Sequence, residues 1–225
     1  MTDRRGVAVV GVDVGVGATL VAATIARAGR LAGRDVVYVK PVQPGAADGA
    51  DDAADVAALA GVPTATGPSI GPAGAPGRTL RGAGLTLDAA ELREVIDAAR
   101  RDHPSTDLIV DGSGGATTEL GSDGTTLADL AIHADLDVVV VTPARVGGIE
   151  LAALTIEALE RRGVTVRGTV TTRPPGATEE RVDAAEVLAA TGHPLLATLP
   201  PLDLRGDDPL AEIAATFDLG GDASP

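Results

Sequence analysis

The chain has 225 residues with no cysteine and no tryptophan, and 18 basic against 32 acidic side chains leave a formal charge of −14. Disulfides and thiolate chemistry are thereby excluded, and association with nucleic-acid backbones or anionic lipid is opposed. The length suits one large α/β domain, and with Tyr38 and Phe217 as the only aromatic residues its core must be aliphatic.

Short β-branched runs alternate with longer stretches of helical period. Strands are predicted at 7–10, 36–39, 108–110, 138–141, 166–170 and 195–199, and helices at 18–32, 52–60, 88–101, 148–162, 179–190 and 208–216. This alternation implies right-handed crossovers, hence a three-layer α/β fold with a mainly parallel sheet and helices on both faces. The runs at 108–110 and 138–141 are wholly apolar, as burial on both faces demands. Residues 61–84, rich in Gly, Pro, Ala and Thr without a clear period, are expected to form an irregular surface insertion. Residues 1–219 read as a single domain and 220–225 as a loose tail. With no run of 18 apolar residues and no leader pattern, the expected location is cytoplasmic, with no membrane partner.

The first strand runs into Gly11-Val12-Asp13-Val14-Gly15-Val16-Gly17-Ala18-Thr19, and a helical stretch follows. Strand, glycine loop and helix together are the setting of a phosphate cradle. Glycines let backbone N–H groups approach phosphate oxygens, and the helix offers the positive end of its dipole. The match to G-x-x-x-x-G-K-[ST] is incomplete: Ala18 stands where lysine belongs, and the spacing from Gly11 to Gly17 is one residue longer. A plain tight turn is the competing reading of this segment taken alone.

The only lysine, Lys40, ends the second strand within Tyr38-Val39-Lys40-Pro41-Val42-Gln43. Ligands of an open α/β sheet sit beyond the carboxyl ends of its strands. That rule collects the glycine loop, Lys40, Asp111-Gly112-Ser113-Gly114-Gly115 and residues 142–148 at one edge. Asp111 there would be a costly buried charge unless a cation met it. Magnesium is the expected cation, with Thr19 as hydroxyl ligand and Asp52, in the acidic run 48–55, as a further oxygen. The competing readings are a capped strand end for Asp111 and a solvated helix start for Asp52. Arg145 is a candidate anion ligand on the same edge, the helix start near Gly148 a candidate receiver of a carboxylate, and Asp13 a candidate for orienting the glycines or an ammonium group. His103, His133 and His193 belong to no common motif and read as structural or exposed.

Taken in order, Gly11 to Thr19, Lys40-Pro41-Val42-Gln43, Asp52, Asp111 to Gly115, Gly147-Gly148-Ile149 leading into Thr155-Ile156-Glu157-Ala158-Leu159, and the run from Leu195 to Leu202 resemble dethiobiotin synthetase. The similarity runs in register over about residues 6–202. It implies a P-loop NTPase-like enzyme that uses ATP and Mg2+ to close a cyclic urea from 7,8-diaminononanoate and CO2, through a carbamate and its phosphorylated anhydride, as a homodimer. By the same resemblance Gly15, Val16, Gly17, Ala18, Thr19, Leu20, Asp52, Asp111, Gly112, Ser113, Gly114 and Thr172 would bind the nucleotide. Thr19, Asp52 and Asp111 would hold Mg2+. Lys40 would be catalytic and, with Pro44, Arg145 and Gly148, would meet the substrate.

The chain departs from the family pattern at several of these places. Ala18 replaces a lysine that touches phosphate and carbamate, Val14 a threonine, Pro44 a small hydroxyl residue, Glu150 an asparagine and Asp111 a glutamate. Thr171-Thr172-Arg173 lacks the asparagine expected for reading adenine. Two other readings stay open on these grounds: an inactive nucleotide-binding homologue or regulator, and another ATP-using ligase or partitioning-type ATPase of the same superfamily.

Overall fold

The structure, a computed structural model, describes residues 6–173, 182–202 and 208–217. The strands in chain order are β1 (Gly6–Gly11), β2 (Val36–Lys40), β3 (Gln43–Pro44), β4 (Thr64–Thr66), β5 (Ser69–Ile70), β6 (Asp107–Asp111), β7 (Asp137–Pro143), β8 (Val166–Thr172) and β9 (Leu195–Leu199). The helices are α1 (Ala18–Leu31), α2 (Asp52–Ala60), α3 (Pro76–Ala83), α4 (Ala89–Asp102), α5 (Leu127–His133), α6 (Gly148–Glu160), α7 (Ala184–Thr191) and α8 (Ala211–Thr216). Seven strands form one parallel sheet in the order β4-β2-β6-β1-β7-β8-β9, while β3 and β5 pair separately. The three-layer α/β expectation holds.

Strand alternation assigns each side chain to a layer. Ala8 and Val10 of β1, Val37 and Val39 of β2, and Leu108 and Val110 of β6 pack into the cluster that contains Leu92, Ile96 and Leu130 from α4 and α5. Val7 and Val9, Val36 and Tyr38, and Ile109 pack into the opposite cluster, with Val21 and Ile25 of α1 and Val56 of α2. By the same parity Lys40 and Asp111 fall on the α1/α2 side. β2 and β6 are neighbours in register from Val36↔Asp107 to Val39↔Val110, so the next step sets Lys40 beside Asp111. An aliphatic core therefore delivers two opposite charges to one place.

Three expectations need correction. Residues 61–84 are not an irregular insertion: they contain β4, which extends the main sheet, β5, and α3, which opens on Pro76. Pro suits that first helical position because its missing N–H would have had no partner there. Helix α5 was not predicted, because it has only seven residues and four of them, Leu127, Ala128, Leu130 and Ala131, are buried. Two turns with only Asp129 and His133 polar are too short to show a period. The later helices are shorter than expected: α7 begins at Ala184 and α8 at Ala211. Residues 179–181 and the proposed tail 220–225 lie outside the described residues. Among the described residues no helix is long and apolar enough to cross a membrane.

Candidate active site

The glycine loop leads directly from β1 into α1. Gly15 and Gly17 sit at φ +75° and +89°, in the left-handed region where a side chain is strained, so the turn depends on glycine at both positions. Gly17 is the N-cap of α1, no side chain caps it, and the first turn carries no acidic residue. The N–H groups of that turn are therefore left to an anionic ligand. The loop is pinned from behind: the Val12 amide donates to the Val141 carbonyl at 2.9 Å, and the Thr172 hydroxyl to the Val16 carbonyl at 2.6 Å. Thr172, expected beside the nucleotide, thus spends its hydroxyl on holding the loop against β8. At the apex Asp13 accepts from the Val14 amide at 2.7 Å, and Val14 is 76% exposed.

Beneath the loop lies a polar cluster centred on Asp111, which is 1% exposed. One carboxylate oxygen, Oδ2, accepts from the Tyr38 hydroxyl at 2.7 Å, the Thr19 hydroxyl at 2.8 Å and Lys40 Nζ at 2.9 Å. The other, Oδ1, is buried with no hydrogen-bond partner among the described residues. Lys40, 2% exposed, also donates to the Gly112 carbonyl at 2.7 Å and pairs with Asp52 Oδ2 at 2.6 Å. Lys40 and the hydroxyl of Thr19 share one oxygen atom, so the ammonium lies at the foot of the glycine loop.

Asp52 is held by a device the motif did not reveal. The side chain of Gln43, which follows Lys40 in sequence, accepts from the Asp52 amide at 3.1 Å and donates to the Pro44 carbonyl at 2.8 Å. Asp51 caps the same helix by accepting from the Ala54 amide at 3.0 Å. The start of α2 is thereby fixed over Lys40, and Asp52 is ion-paired rather than simply solvated.

Burial alone would lower the pKa of Lys40, but Asp111 and Asp52 outweigh it and hold the ammonium above its usual value. Burial, reinforced by the charge of Asp111, pushes the Tyr38 phenol far above its ordinary 10.0. Both folded-state values are raised, so the folded chain keeps two protons that the unfolded chain releases above about pH 10. Their stabilisation is complete below that pH and is lost as pH rises, by about 1.4 kcal/mol per pH unit for each proton. Tyr38 is the only tyrosine and tryptophan is absent, which makes phenolate absorbance a report on this one site. On alkaline titration the absorbance should rise together with the loss of helical circular dichroism. Phenolate that forms while the helices persist would contradict the buried Tyr38–Asp111 bond.

The cleft above the cluster has a volume of about 690 Å3. Its walls include Asp13, residues 14–20 of the loop and first helical turn, Lys40, Pro44, Asp52, Asp55, Gly112, Ser113 and Gly114. Ser113 carries a buried hydroxyl oxygen without a partner among the described residues. Three carboxylates on this wall face one ammonium, so a polyphosphate cannot enter favourably unless a cation accompanies it. Thr19, Asp52 and Asp111 form a hard oxygen donor set suited to Mg2+, and the orphaned Asp111 Oδ1 is an acceptor that a cation would satisfy. The residues present fit the metal.

Arg145 and Gly148 are not brought to this cleft. The turn after β7 closes tightly, with the Arg145 amide on the Pro143 carbonyl, the Gly148 amide on the Arg145 carbonyl and the Thr142 hydroxyl on the Gly148 carbonyl. It directs Arg145 to a second hollow of about 550 Å3, shared with Val146, Glu150 and Glu186 of α7. His133 and His193 pair with Asp97 and Glu160 at the surface, away from the cleft.

Comparison with known proteins agrees with this geometry. The family model AAA_26, an AAA domain, matches residues 5–207. The ATP-dependent dethiobiotin synthetase BioD of Anaeromyxobacter dehalogenans is 38% identical over 203 residues, covering 87% of this chain and 90% of that one. The protein of the same name from Mycobacterium leprae is 38% identical over 219 residues, covering 94% and 95%. Among solved structures, a MinC:MinD cell division complex of Aquifex aeolicus superposes with a TM-score of 0.61 at 13% identity, covering 96% of this chain and 93% of that one. A ParA family ATPase of Chlorobium tepidum gives 0.59 at 15%, covering 94% and 92%. These structural likenesses establish the fold alone, whereas identity sustained over nine-tenths of the length establishes kinship. The chain belongs to the dethiobiotin synthetase family.

Proposed function

We propose that this protein uses ATP to close the cyclic urea of dethiobiotin from 7,8-diaminononanoate and CO2. One amine adds to CO2 and loses a proton to give a carbamate. A carbamate oxygen attacks the γ-phosphorus and ADP leaves. The second amine then attacks the carbamoyl carbon of the mixed anhydride and expels inorganic phosphate. The observation that carries this reading is the position of Lys40, at the foot of the glycine loop and at the wall of a cleft rich in carboxylates.

Phosphoryl transfer needs in-line positioning and dispersal of negative charge more than covalent help. The amides of Gly15 to Thr19 hold the phosphates, and Lys40 supplies a compact positive charge to the carbamate and the transferring group. Asp13 and Asp55 favour an amine-bearing substrate on the cleft wall over a second anion. Thr19, Asp52 and Asp111 would hold Mg2+, which would supply charge neutralisation of the phosphates. Val146, in the turn before α6, and Leu154, within it, are 82% and 63% exposed, and burial of these apolar side chains against a second copy supports a homodimer. A cytoplasmic location accompanies this reading.

Incubation with diaminononanoate, bicarbonate, Mg2+ and ATP should yield dethiobiotin and ADP in equal amounts, and sedimentation should give twice the chain mass. ATP binding without turnover would select the inactive homologue instead. Hydrolysis indifferent to diaminononanoate would select a different ATP-using enzyme.

A further inference from the structure

A lysine ammonium has three donors, and the fold meets all three from within: Asp52 Oδ2 at 2.6 Å, the Gly112 carbonyl at 2.7 Å and Asp111 Oδ2 at 2.9 Å. A lysine held in this way has no donor left for a phosphate. Two of its three acceptors are also the carboxylates proposed as metal ligands. A divalent ion between them would meet a positive charge already within bonding distance of both, in a setting where like charges are poorly screened. Asp111 Oδ1, buried and unpartnered, shows that this carboxylate has acceptor capacity that the lysine leaves unused. The arrangement is therefore not a closed structural ion pair: it is complete for the ammonium and incomplete for the carboxylate.

We infer that Lys40 and a divalent cation are alternative occupants of the Asp52–Asp111 pair, so that arrival of the metal is what frees Lys40 for the cleft. The inference rests on the reading of Asp52 and Asp111 as metal ligands. While the metal is away, the ammonium keeps two carboxylates from facing each other unneutralised. When the metal enters, the one lysine of the chain is released towards the phosphates, at a loop where Ala18 offers no cation of its own.

The test is binding of Mn2+ without nucleotide, followed by the paramagnetic signal of the free ion. Lys40→Met removes the charge while keeping the apolar stem, and should bind Mn2+ at least tenfold more tightly than wild type. Asp52→Asn added to that variant should abolish the gain. Equal affinity in wild type and Lys40→Met, with Asp52→Asn weakening both, would overturn the exclusion and leave the metal reading standing. Affinity indifferent to Asp52 in every background would remove the metal reading and the inference with it.

Wild-type protein answers the same question should Lys40→Met fail to fold. Lys40 should resist a small amine-acylating reagent without metal and react at least tenfold faster at saturating Mg2+, as read by mass spectrometry. Mg2+ binding, detected by its heat, with acylation of Lys40 unchanged would overturn the proposal.

Discussion

Lys40→Ala is expected to lower the rate of dethiobiotin formation by at least a thousandfold, a loss of transition-state stabilisation of about 4 kcal/mol. The magnitude follows from the cleft wall, where, among the described residues, Lys40 is the one cation beside Asp13, Asp52 and Asp55. The loop amides offer only partial charges, so the full positive charge on the protein side falls to Lys40. The same change leaves Asp111 buried with only the Tyr38 and Thr19 hydroxyls as donors. Breaking a buried pair by removing one partner costs about 3–5 kcal/mol, against a typical folding stability of about 5–15 kcal/mol. Activity should therefore be measured per folded molecule, well below the lowered Tm. A variant that is folded by circular dichroism and turns over at the wild-type rate would end the role given to Lys40.

Ala18→Lys is expected to raise turnover by tenfold or more, up to about a thousandfold, and to lower the KM for ATP. Position 18 opens α1, lines the cleft and is partly buried against the core cluster, so a longer side chain there must leave along the cleft wall. Lysine is a good helix former. A cation at a helix N-terminus is unfavourable by about 0.3–1 kcal/mol, which is small beside the roughly 4 kcal/mol that a cation at a transferring phosphoryl group is worth. The charge effect should dominate. If kcat and the KM for ATP are unchanged in Ala18→Lys, the loop cation is not limiting and Lys40 with the metal suffices.

Much of the candidate site was legible in one dimension. The glycine loop announces itself by its place between an apolar strand and a helix, and Lys40 and Asp111 by ending apolar strands at the ligand edge. Strand parity even assigns Lys40 to the same face as Tyr38, and Asp111 to that of Ile109, because successive side chains of a strand must point oppositely. Tyr38 was nonetheless missed as a member of the cluster. Its signal was present two residues before Lys40, but a lone aromatic in a buried strand is read first as core. Gln43 stands in the Lys40 motif with no role visible in sequence, since a helix start held from another element has no local pattern. The elements within 61–84 escaped because strands of two or three residues are too short to show a period.

What composition, periodicity and motif order settle is the fold and the strand edge at which the glycine loop, Lys40 and Asp111 gather. They do so because each depends on interactions between residues close in the chain. Other features came from neighbours distant in the chain. Pairing of β2 with β6 puts Lys40 against Asp111. The grip of Gln43 on α2 brings Asp52 onto the same ammonium. A tight turn after β7 sends Arg145 elsewhere, although its strand ends at the expected edge. A buried charge is tolerable only where the assembled fold supplies its partners, so the partners of Lys40 could be known only once that assembly was seen.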